Sequence, residues 1–367
     1  MGWQGYVERL TTQIGSGSEP DVMQINWAWI NMFSRDGKGL YDLNKVKDGI
    51  NLADFSQDMI DSGMSKGALN GLPVSMTTRF WIWNKTSWDR AGAAMPKTWN
   101  ELRGAGPKFK AVGDEYYATD MEPIDGLYIV TAWLHEKYGT QIIHPDEPKI
   151  GSTVEQLTDA IAYLKSLFDA HAAVPAPVRT SVAGQYERTS EQIEEFVNGK
   201  WAGTFIWNSL FSLRTTGAIE KGSDMVLGPM LTADGTNPKP DRIGRPAMMY
   251  AVGKNSKNPA LAAKLVSFLL TDPGAAKILG LTRGLPVAKT PYQVLMNAGM
   301  VSEMDQEGQR QLEGVRMVYT SPLFEHERIR SFLIAEFEAV SHGKATPGQA
   351  AQNIHSQGAR LLSRLAR

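Results

Sequence analysis

The chain has 367 residues, 42% hydrophobic and 21% charged, a composition typical of a globular protein with room for two domains. Its net charge of −1 provides no overall field to attract nucleic acid or an anionic membrane. The absence of cysteine excludes disulfides, thiolate nucleophiles and cysteine metal sites. No apolar run reaches the length of a membrane span, and the first residues do not read as a signal peptide.

A short strand that ends in two tryptophans is predicted over residues 21–29. Val22 and Ile25 supply its apolar body. Because side chains alternate along a strand, Trp27 and Trp29 are expected to point the same way if the extended backbone continues to Trp29. Ligands of open α/β sheets bind at the carboxyl ends of strands, so the two tryptophans are candidate ligand contacts, with core packing as the alternative.

A hairpin turn is predicted at Asn70-Gly71, and a strand over residues 72–83 follows it. Arg79 lies inside that strand. Its side chain is expected either to bind a ligand or, if the strand lies at the edge of a sheet, to face water. Helices are predicted over residues 3–14, 54–64, 126–137, 152–168, 259–270 and 327–340. A first crossover between domains is expected near residues 110–114.

A second strand that leads to a tryptophan is predicted over residues 201–206. Trp207 and Asn208 follow it directly, which repeats the pattern at Trp27. A further strand over residues 248–252 contains Tyr250 and is expected to cross between domains. The alternation of strands and helices predicts an α/β fold with parallel sheets.

Catalytic motifs are mostly missing from the sequence. There is no His-Glu-x-x-His, Walker or Gly-x-Ser-x-Gly motif, so no metal or other cofactor is predicted. Asp120, Glu122 and Asp125 form the one carboxylate cluster that could cleave a glycoside, with a solvated turn as the alternative. The pattern favours binding over catalysis.

Six stretches together resemble the family 1 extracellular solute-binding proteins of ABC sugar importers. They occur in the family's order along nearly the whole chain, at residues 19–23, 70–75, 96–102, 196–202, 254–264 and 284–287. Residues 2–14, 22–27 and 41–44 are more narrowly similar to the branch that binds oligogalacturonides from pectin.

This resemblance implies a type II periplasmic-binding-protein fold, in which two α/β lobes joined by a hinge close over sugar in the cleft. The N-terminal lobe would comprise residues 1–111 and 255–318, and the C-terminal lobe residues 112–254 and 319–367. A family member would carry a strand, a helix and a second strand before Gly2, so the N-terminal lobe is expected to be incomplete.

The resemblance also implies a periplasmic monomer that is not an enzyme and that delivers its sugar to an ABC permease. The aromatic side chains that would stack on sugar rings are Trp27, Trp29, Trp207 and Tyr250. Asn208 would form hydrogen bonds with sugar hydroxyl groups. Arginine matches a uronate carboxylate with two parallel bonds, so the carboxylates would be met by Arg79, Arg245 and Arg283, with Arg242 as a further candidate. The alternatives are a receptor for neutral or other uronic oligosaccharides and a glycan-cleaving enzyme that uses the carboxylate cluster.

Overall fold

The computed structural model describes residues 5–183, 188–237 and 240–365. The α-helices are α1 (Tyr6–Ser16), α2 (Trp29–Phe33), α3 (Gln57–Asp61), α4 (Lys85–Arg90), α5 (Trp99–Val112), α6 (Pro123–Tyr138), α7 (Val154–Asp169), α8 (Ala176–Ala183), α9 (Glu194–Val197), α10 (Phe211–Glu220), α11 (Pro259–Thr271), α12 (Pro273–Leu279), α13 (Lys289–Asn297), α14 (Glu303–Leu312), α15 (Glu327–Ser341), α16 (Pro347–Asn353) and α17 (Ala359–Leu365). The strands are β1 (Val22–Asn26), β2 (Met64–Ser65), β3 (Ala68–Leu69), β4 (Leu72–Pro73), β5 (Met76–Asn84), β6 (Gly203–Trp207), β7 (Met225–Leu227), β8 (Arg242–Pro246), β9 (Met248–Val252) and β10 (Met317–Tyr319). Short 3-10 turns lie at Leu43–Gly49, Leu52–Asp54, Ser190–Gln192 and Asn208–Leu210, and a π turn joins α16 to α17.

The chain forms two units, residues 1–77 with 245–302 and residues 78–244 with 303–367. The units differ from the predicted lobes in three ranges. The second unit contains residues 78–111 and 303–318, which were predicted to belong to the N-terminal lobe. The first unit contains residues 245–254, which were predicted to belong to the C-terminal lobe. The position of α5 has a clear physical cause, because its Trp99 and Phe109 pack in the same apolar core as Leu127 and Leu164. The chain crosses between the units three times, within β5, within β8 and between Ser302 and Glu303, whereas the sequence predicted crossings near residues 110–114 and within the strand over residues 248–252.

The first unit is built on a sheet in which β9 lies between β1 and β4. Both pairings are antiparallel, so the prediction of parallel sheets was wrong for these strands. The reason is connectivity, because β4 precedes the point where the chain leaves this unit and β9 follows the point where it returns, so the two strands run in opposite directions. Met23 and Ile25 of β1 point into a core that they share with Leu10 of α1 and Met249 of β9.

The predicted hairpin turn at Asn70-Gly71 was also wrong. The hairpin joins β2 to β3, and its turn residues Lys66 and Gly67 have φ values of 47° and 85°. Asn70 is instead fully buried, where its side chain accepts a hydrogen bond from Ser34 Oγ at 2.8 Å. Its amide nitrogen donates to the carbonyls of Gly37 and Leu40, both at 3.4 Å.

Replacing Asn70 with alanine should destabilise the protein by about 1–3 kcal/mol, because it leaves the buried Ser34 hydroxyl and two carbonyl groups with fewer partners. Urea denaturation measures this change. The exposed Asn44, replaced in the same way, is the control and should lower the free energy of unfolding much less. Equal effects of the two substitutions would contradict a structural role for Asn70.

The second unit holds a sheet in the order β10, β8, β5 and β6, with β7 also paired to β5. The β5–β6 pairing is antiparallel, whereas β10 and β8 run parallel. Helices α5, α6, α7 and α15 pack around one large apolar core. Trp81, Trp83, Trp88 and Trp99 are all almost fully buried in it. The tryptophan-rich strand that the sequence predicted over residues 72–83 is thus mainly core.

Most predicted helices are close to the observed ones. The predicted helix over residues 3–14 begins outside the described residues, and α1 continues to Ser16. The helix predicted over residues 54–64 was too long, since only α3 forms there. Asp54 instead accepts hydrogen bonds from the backbone nitrogen and the hydroxyl of Thr290. Within the described residues, no helix combines the length and apolarity needed to cross a membrane.

Candidate functional site

The two tryptophans near the start do not share one strand face. Strand β1 ends at Asn26, whose side-chain oxygen accepts a hydrogen bond from Ala28 N at 3.0 Å, and α2 begins at Trp29. Trp27 is 8% exposed, and its indole nitrogen donates to the Ser62 carbonyl at 3.0 Å. Trp29 is half-buried and stacks on Tyr6 with ring centroids 6.1 Å apart. The expectation that both point the same way from an extended strand was therefore wrong.

The other candidates in the first unit differ in exposure. Tyr250 lies in the central strand β9 and is buried. Arg245 is half-buried, and its Nη1 donates to the Pro246 carbonyl at 3.1 Å. Arg283 is exposed and precedes Gly284, whose φ of 84° marks a tight turn. Of these three side chains, Arg283 is the one that this unit presents most openly to water.

In the second unit, the structure brings three of the candidates together. The antiparallel register of β5 and β6 sets Arg79 directly opposite Trp207. The guanidinium carbon of Arg79 lies 5.1 Å from the Trp207 ring and 4.7 Å from the ring of Tyr128. Trp207 and Tyr128 meet edge to face at 4.7 Å. Asn208 accepts a hydrogen bond from Thr78 N at 3.2 Å and begins a 3-10 turn beside them.

Arg79 is only 3% exposed and forms an ion pair with Asp125. Asp125 also accepts a hydrogen bond from Glu122 N at 2.9 Å. Burial raises the pKa of Asp125 to about 7, and the nearby Glu122 and Asp120 add to the rise that Arg79 opposes. The guanidinium of Arg79 is therefore buried against the rings of Trp207 and Tyr128 and paired with Asp125, whereas the sequence predicted an open fork for a carboxylate.

The three clustered carboxylates each pair with an arginine, and all are at least nine-tenths buried. Asp120 accepts from Arg179 Nε at 2.9 Å and from Arg179 Nη2 at 3.3 Å. Glu122 pairs with Arg214 at 2.9 Å. Each carboxylate thus already has an arginine partner, which is the arrangement of a buried ion-pair network that stabilises the fold. Arg179 and Arg214 were missed by sequence reasoning because no local pattern links them to the acids.

The hydroxyl of Ser190 joins two of these pairs. It lies 2.8 Å from Asp120 Oδ2 and 2.9 Å from Glu122 Oε1, and Ser190 N donates to the same Glu122 oxygen at 2.8 Å. Ser190 follows Thr189, the first residue of a capping box. Thr189 provides the cap of this turn, and the Ser190 hydroxyl contacts the carboxylate network.

A cavity of about 560 Å³ opens beside this network within the second unit. Its walls come from the start of α6, from α8 and from α15. Apolar side chains such as Ile124 and Phe168 line it together with Glu122, Arg179 and Arg330. Its volume lies in the range of about 300–1,000 Å³ that is usual for small-ligand sites.

The chain has an α/β fold in two units, with an aromatic cluster at the end of a strand, as is typical of solute-binding proteins. The family model for bacterial extracellular solute-binding proteins matches residues 1–276. The chain therefore belongs to this family. Its fold matches periplasmic solute-binding proteins of type II architecture, as the sequence predicted.

One similar solved structure is a periplasmic oligogalacturonide binding protein from Yersinia enterocolitica, with a TM-score of 0.89 and 34% identity over 100% of this chain and 90% of that one. Its complex with saturated digalacturonic acid matches with a TM-score of 0.86, 34% identity and the same two coverages. A de novo designed cysteine esterase, ECH19, matches with a TM-score of 0.91 and 33% identity over 100% of this chain and 90% of that one. The present chain has no cysteine.

Among curated relatives, the diacetylchitobiose binding protein DasA of Streptomyces coelicolor is 28% identical over 291 residues. That match covers 76% of this chain and 63% of DasA. The chain thus spans less than two thirds of this relative's length.

Proposed function

We propose that this chain is the substrate-binding protein of an ABC importer for short oligogalacturonides. Family membership and the similarity to the Yersinia protein support this assignment. By the same resemblance, the protein is a periplasmic monomer without enzymatic activity, and its two lobes close over the sugar before delivery to a membrane permease.

The observation that carries the proposal is the position of the Trp207 indole, which is half-buried and contacts both Arg79 and Tyr128. A sugar ring offers an apolar C–H face, and a half-buried tryptophan held by Arg79 and Tyr128 is a rigid surface for it. Arg245 and Arg283 remain the proposed partners of uronate carboxylates. Trp29 remains a proposed second stacking residue, whereas the burial of Trp27 and Tyr250 favours a core role for both.

Replacing Trp207 with alanine should weaken digalacturonate binding about tenfold or more, because the sugar loses its stacking surface. Titration calorimetry of the purified protein measures the dissociation constant. Tyr138→Ala removes an aromatic ring that is 37% exposed at the end of α6 and is the matched control, with no expected change. An unchanged affinity in the Trp207 variant would remove this residue from the site.

A neutral-sugar receptor is the second candidate, favoured by the similarity to a diacetylchitobiose binding protein. Thermal melts with digalacturonate, diacetylchitobiose and maltotriose separate the two. A ligand at 100 times its dissociation constant should stabilise the folded state by about 2.7 kcal/mol. Stabilisation by digalacturonate alone supports the galacturonide receptor, and stabilisation by a neutral sugar alone contradicts it.

The glycan-cleaving alternative is tested by incubating labelled trigalacturonate with the protein and separating the products. The buried ion pairs of Asp120, Glu122 and Asp125 favour an unchanged substrate. Shorter products that disappear in a Glu122→Gln variant would contradict the proposal that the protein is not an enzyme.

A further inference from the structure

The cavity of about 560 Å³ in the second unit has walls of two kinds. Helices α6 and α7 supply an apolar wall that includes Ile124, Leu164 and Phe168. One face of α15 supplies most of the charged and polar groups. The described lining residues all lie within residues 121–183 and 327–341, so they belong to the second unit alone. A ligand that fills this cavity therefore needs an apolar face as well as polar groups.

Helix α15 presents a charged face to the cavity. Its lining residues recur at intervals of three or four positions, as at Glu327, Arg330, Ile334 and Glu338, so they share one face of the helix. Arg330 and Glu338 are eight residues apart, which is about 12 Å along the helix axis. The cavity thus has a positive group towards one end of this face and a negative group towards the other.

Two arginines among the described residues line the cavity, and they differ in what they contact. Arg179 is buried and donates to both carboxylate oxygens of Asp120, at 2.9 Å and 3.3 Å, so its charge is compensated. Arg330 is half-buried and makes no hydrogen bond or ion pair with any described residue. Its guanidinium has lost part of its water without gaining a carboxylate. Arg330 is therefore available for an anion that a ligand brings.

These groups together match the chemistry of a sugar acid. The apolar C–H face of a pyranose ring can pack on Ile124 and Phe168, as it does on other apolar and aromatic side chains. The planar guanidinium of Arg330 matches a carboxylate with two parallel hydrogen bonds, and Glu338 accepts hydrogen bonds from hydroxyl groups. A neutral sugar would leave Arg330 without a counter-charge, and a fatty acid would leave Glu338 without a donor.

We propose that this cavity is a subsite for one uronic acid unit and that Arg330 binds the carboxylate of that unit. The inference rests on the proposed function, because it takes an acidic oligosaccharide as the ligand. It adds a residue that selects acidic over neutral sugars. Sequence reasoning did not single out Arg330, because the charged segment at residues 325–330 is typical of an exposed helix face.

Titration calorimetry with digalacturonate compares the wild type with two arginine variants. Arg330→Met should weaken binding about tenfold or more, because the carboxylate loses a charged hydrogen-bond partner. Arg328→Met is the matched control, since Arg328 is an exposed residue of the same helix that does not line the cavity. It removes the same charge and should leave the dissociation constant unchanged. Unchanged thermal melting of both variants shows that they are folded.

The dimethyl ester of digalacturonate separates a role in binding from a structural role of Arg330. The ester has the same sugar rings but no charge for the guanidinium to pair with. Arg330→Met and the wild type should therefore bind the ester equally. A loss of affinity for the ester as large as that for digalacturonate would overturn the role of Arg330 as the carboxylate partner.

The absence of cysteine from the chain allows a single thiol to report on the cavity. Ser331→Cys places it on an exposed residue that lines the cavity, and Ser181→Cys places it on an exposed residue of α8 that does not. With digalacturonate at 100 times its dissociation constant, about 1% of the protein is free, so the Ser331→Cys thiol should react with a thiol reagent about tenfold more slowly or less. The Ser181→Cys thiol should react at the same rate with and without the sugar.

The outcomes separate this inference from the proposed function. Wild-type protein that binds no digalacturonate overturns both of them. Wild-type protein that binds digalacturonate while Arg330→Met binds it equally well overturns this inference alone. So does a Ser331→Cys thiol whose rate of reaction is unchanged by bound digalacturonate.

Discussion

Replacing Arg79 with methionine should destabilise the protein by about 3–5 kcal/mol, because it leaves the Asp125 carboxylate buried without its counter-charge. Methionine fills much of the space beside Tyr128 and Trp207, so the loss is electrostatic more than steric. Urea denaturation on the alkaline side of neutrality measures the free energy of unfolding, because the carboxyl group is ionised there in the wild type. The variant must instead bury an unpaired carboxylate or take up a proton, and both cost stability. Near-ultraviolet circular dichroism should also change, because the rings of Tyr128 and Trp207 lose the cation that lies against both of them.

The double variant Arg79→Met with Asp125→Asn tests whether the lost stability comes from the unpaired charge. Asparagine keeps an oxygen that can accept from Glu122 N but carries no charge, so most of the lost stability should return. Lys165→Met breaks the exposed pair with Asp169 and should cost no more than about 1 kcal/mol. If the Arg79 variant lost as little as the Lys165 variant, the buried pair would not stabilise the fold.

Local patterns were sufficient to predict much of the fold. Thr98 and Glu101, three residues apart, form a capping box at the start of α5, and Asp272 caps α12 with proline at the first helical position. The strand over residues 248–252 has the predicted bounds. These features depend on residues within one turn or strand, so their physical causes are visible in the sequence.

Features set by distant partners were predicted poorly. Asn70 reads as a turn residue, yet Ser34 and Leu40 draw its side chain into the interior. Trp27 reads as the tip of a strand, yet the Ser62 carbonyl accepts a hydrogen bond from its indole nitrogen. In each case, the partner lies about 30 residues away or more, and burial with a satisfied hydrogen bond overrides the local preference.

In the candidate site too, individual residues could be predicted from the sequence, but their contacts with distant residues could not. The sequence identified Trp207 and Arg79 separately, and the strand register that sets them face to face became visible only in the structure. The arginine partners of the carboxylates were not predictable, because Arg179 lies 59 residues from Asp120. A carboxylate cluster in sequence could therefore not be told from a buried ion-pair network.

Asp125 should make the protein less stable as the pH rises from about 4 to about 7. Burial raises its pKa in the folded protein to about 7 from the value of 3.8 expected in the unfolded chain. Between these two values, the folded state binds more protons than the unfolded state, so each rise in pH favours unfolding. For this one group, the loss amounts to about 4 kcal/mol across the whole window.

The measurement compares the wild type with Asp125→Asn by urea denaturation at several pH values. Other carboxyl groups, such as Asp159 and Asp241, have lowered pKa values and give the opposite slope at lower pH, but they are common to both proteins. The difference in the free energy of unfolding, wild type minus variant, should therefore fall between pH 4 and 7 and stay level above it. A difference that stayed constant or grew with pH would mean that Arg79 keeps Asp125 ionised in the folded protein. Arg79 and Asp125 would then form an ion pair over the whole pH range, and the support that they give to the ring of Trp207 would not vary with pH.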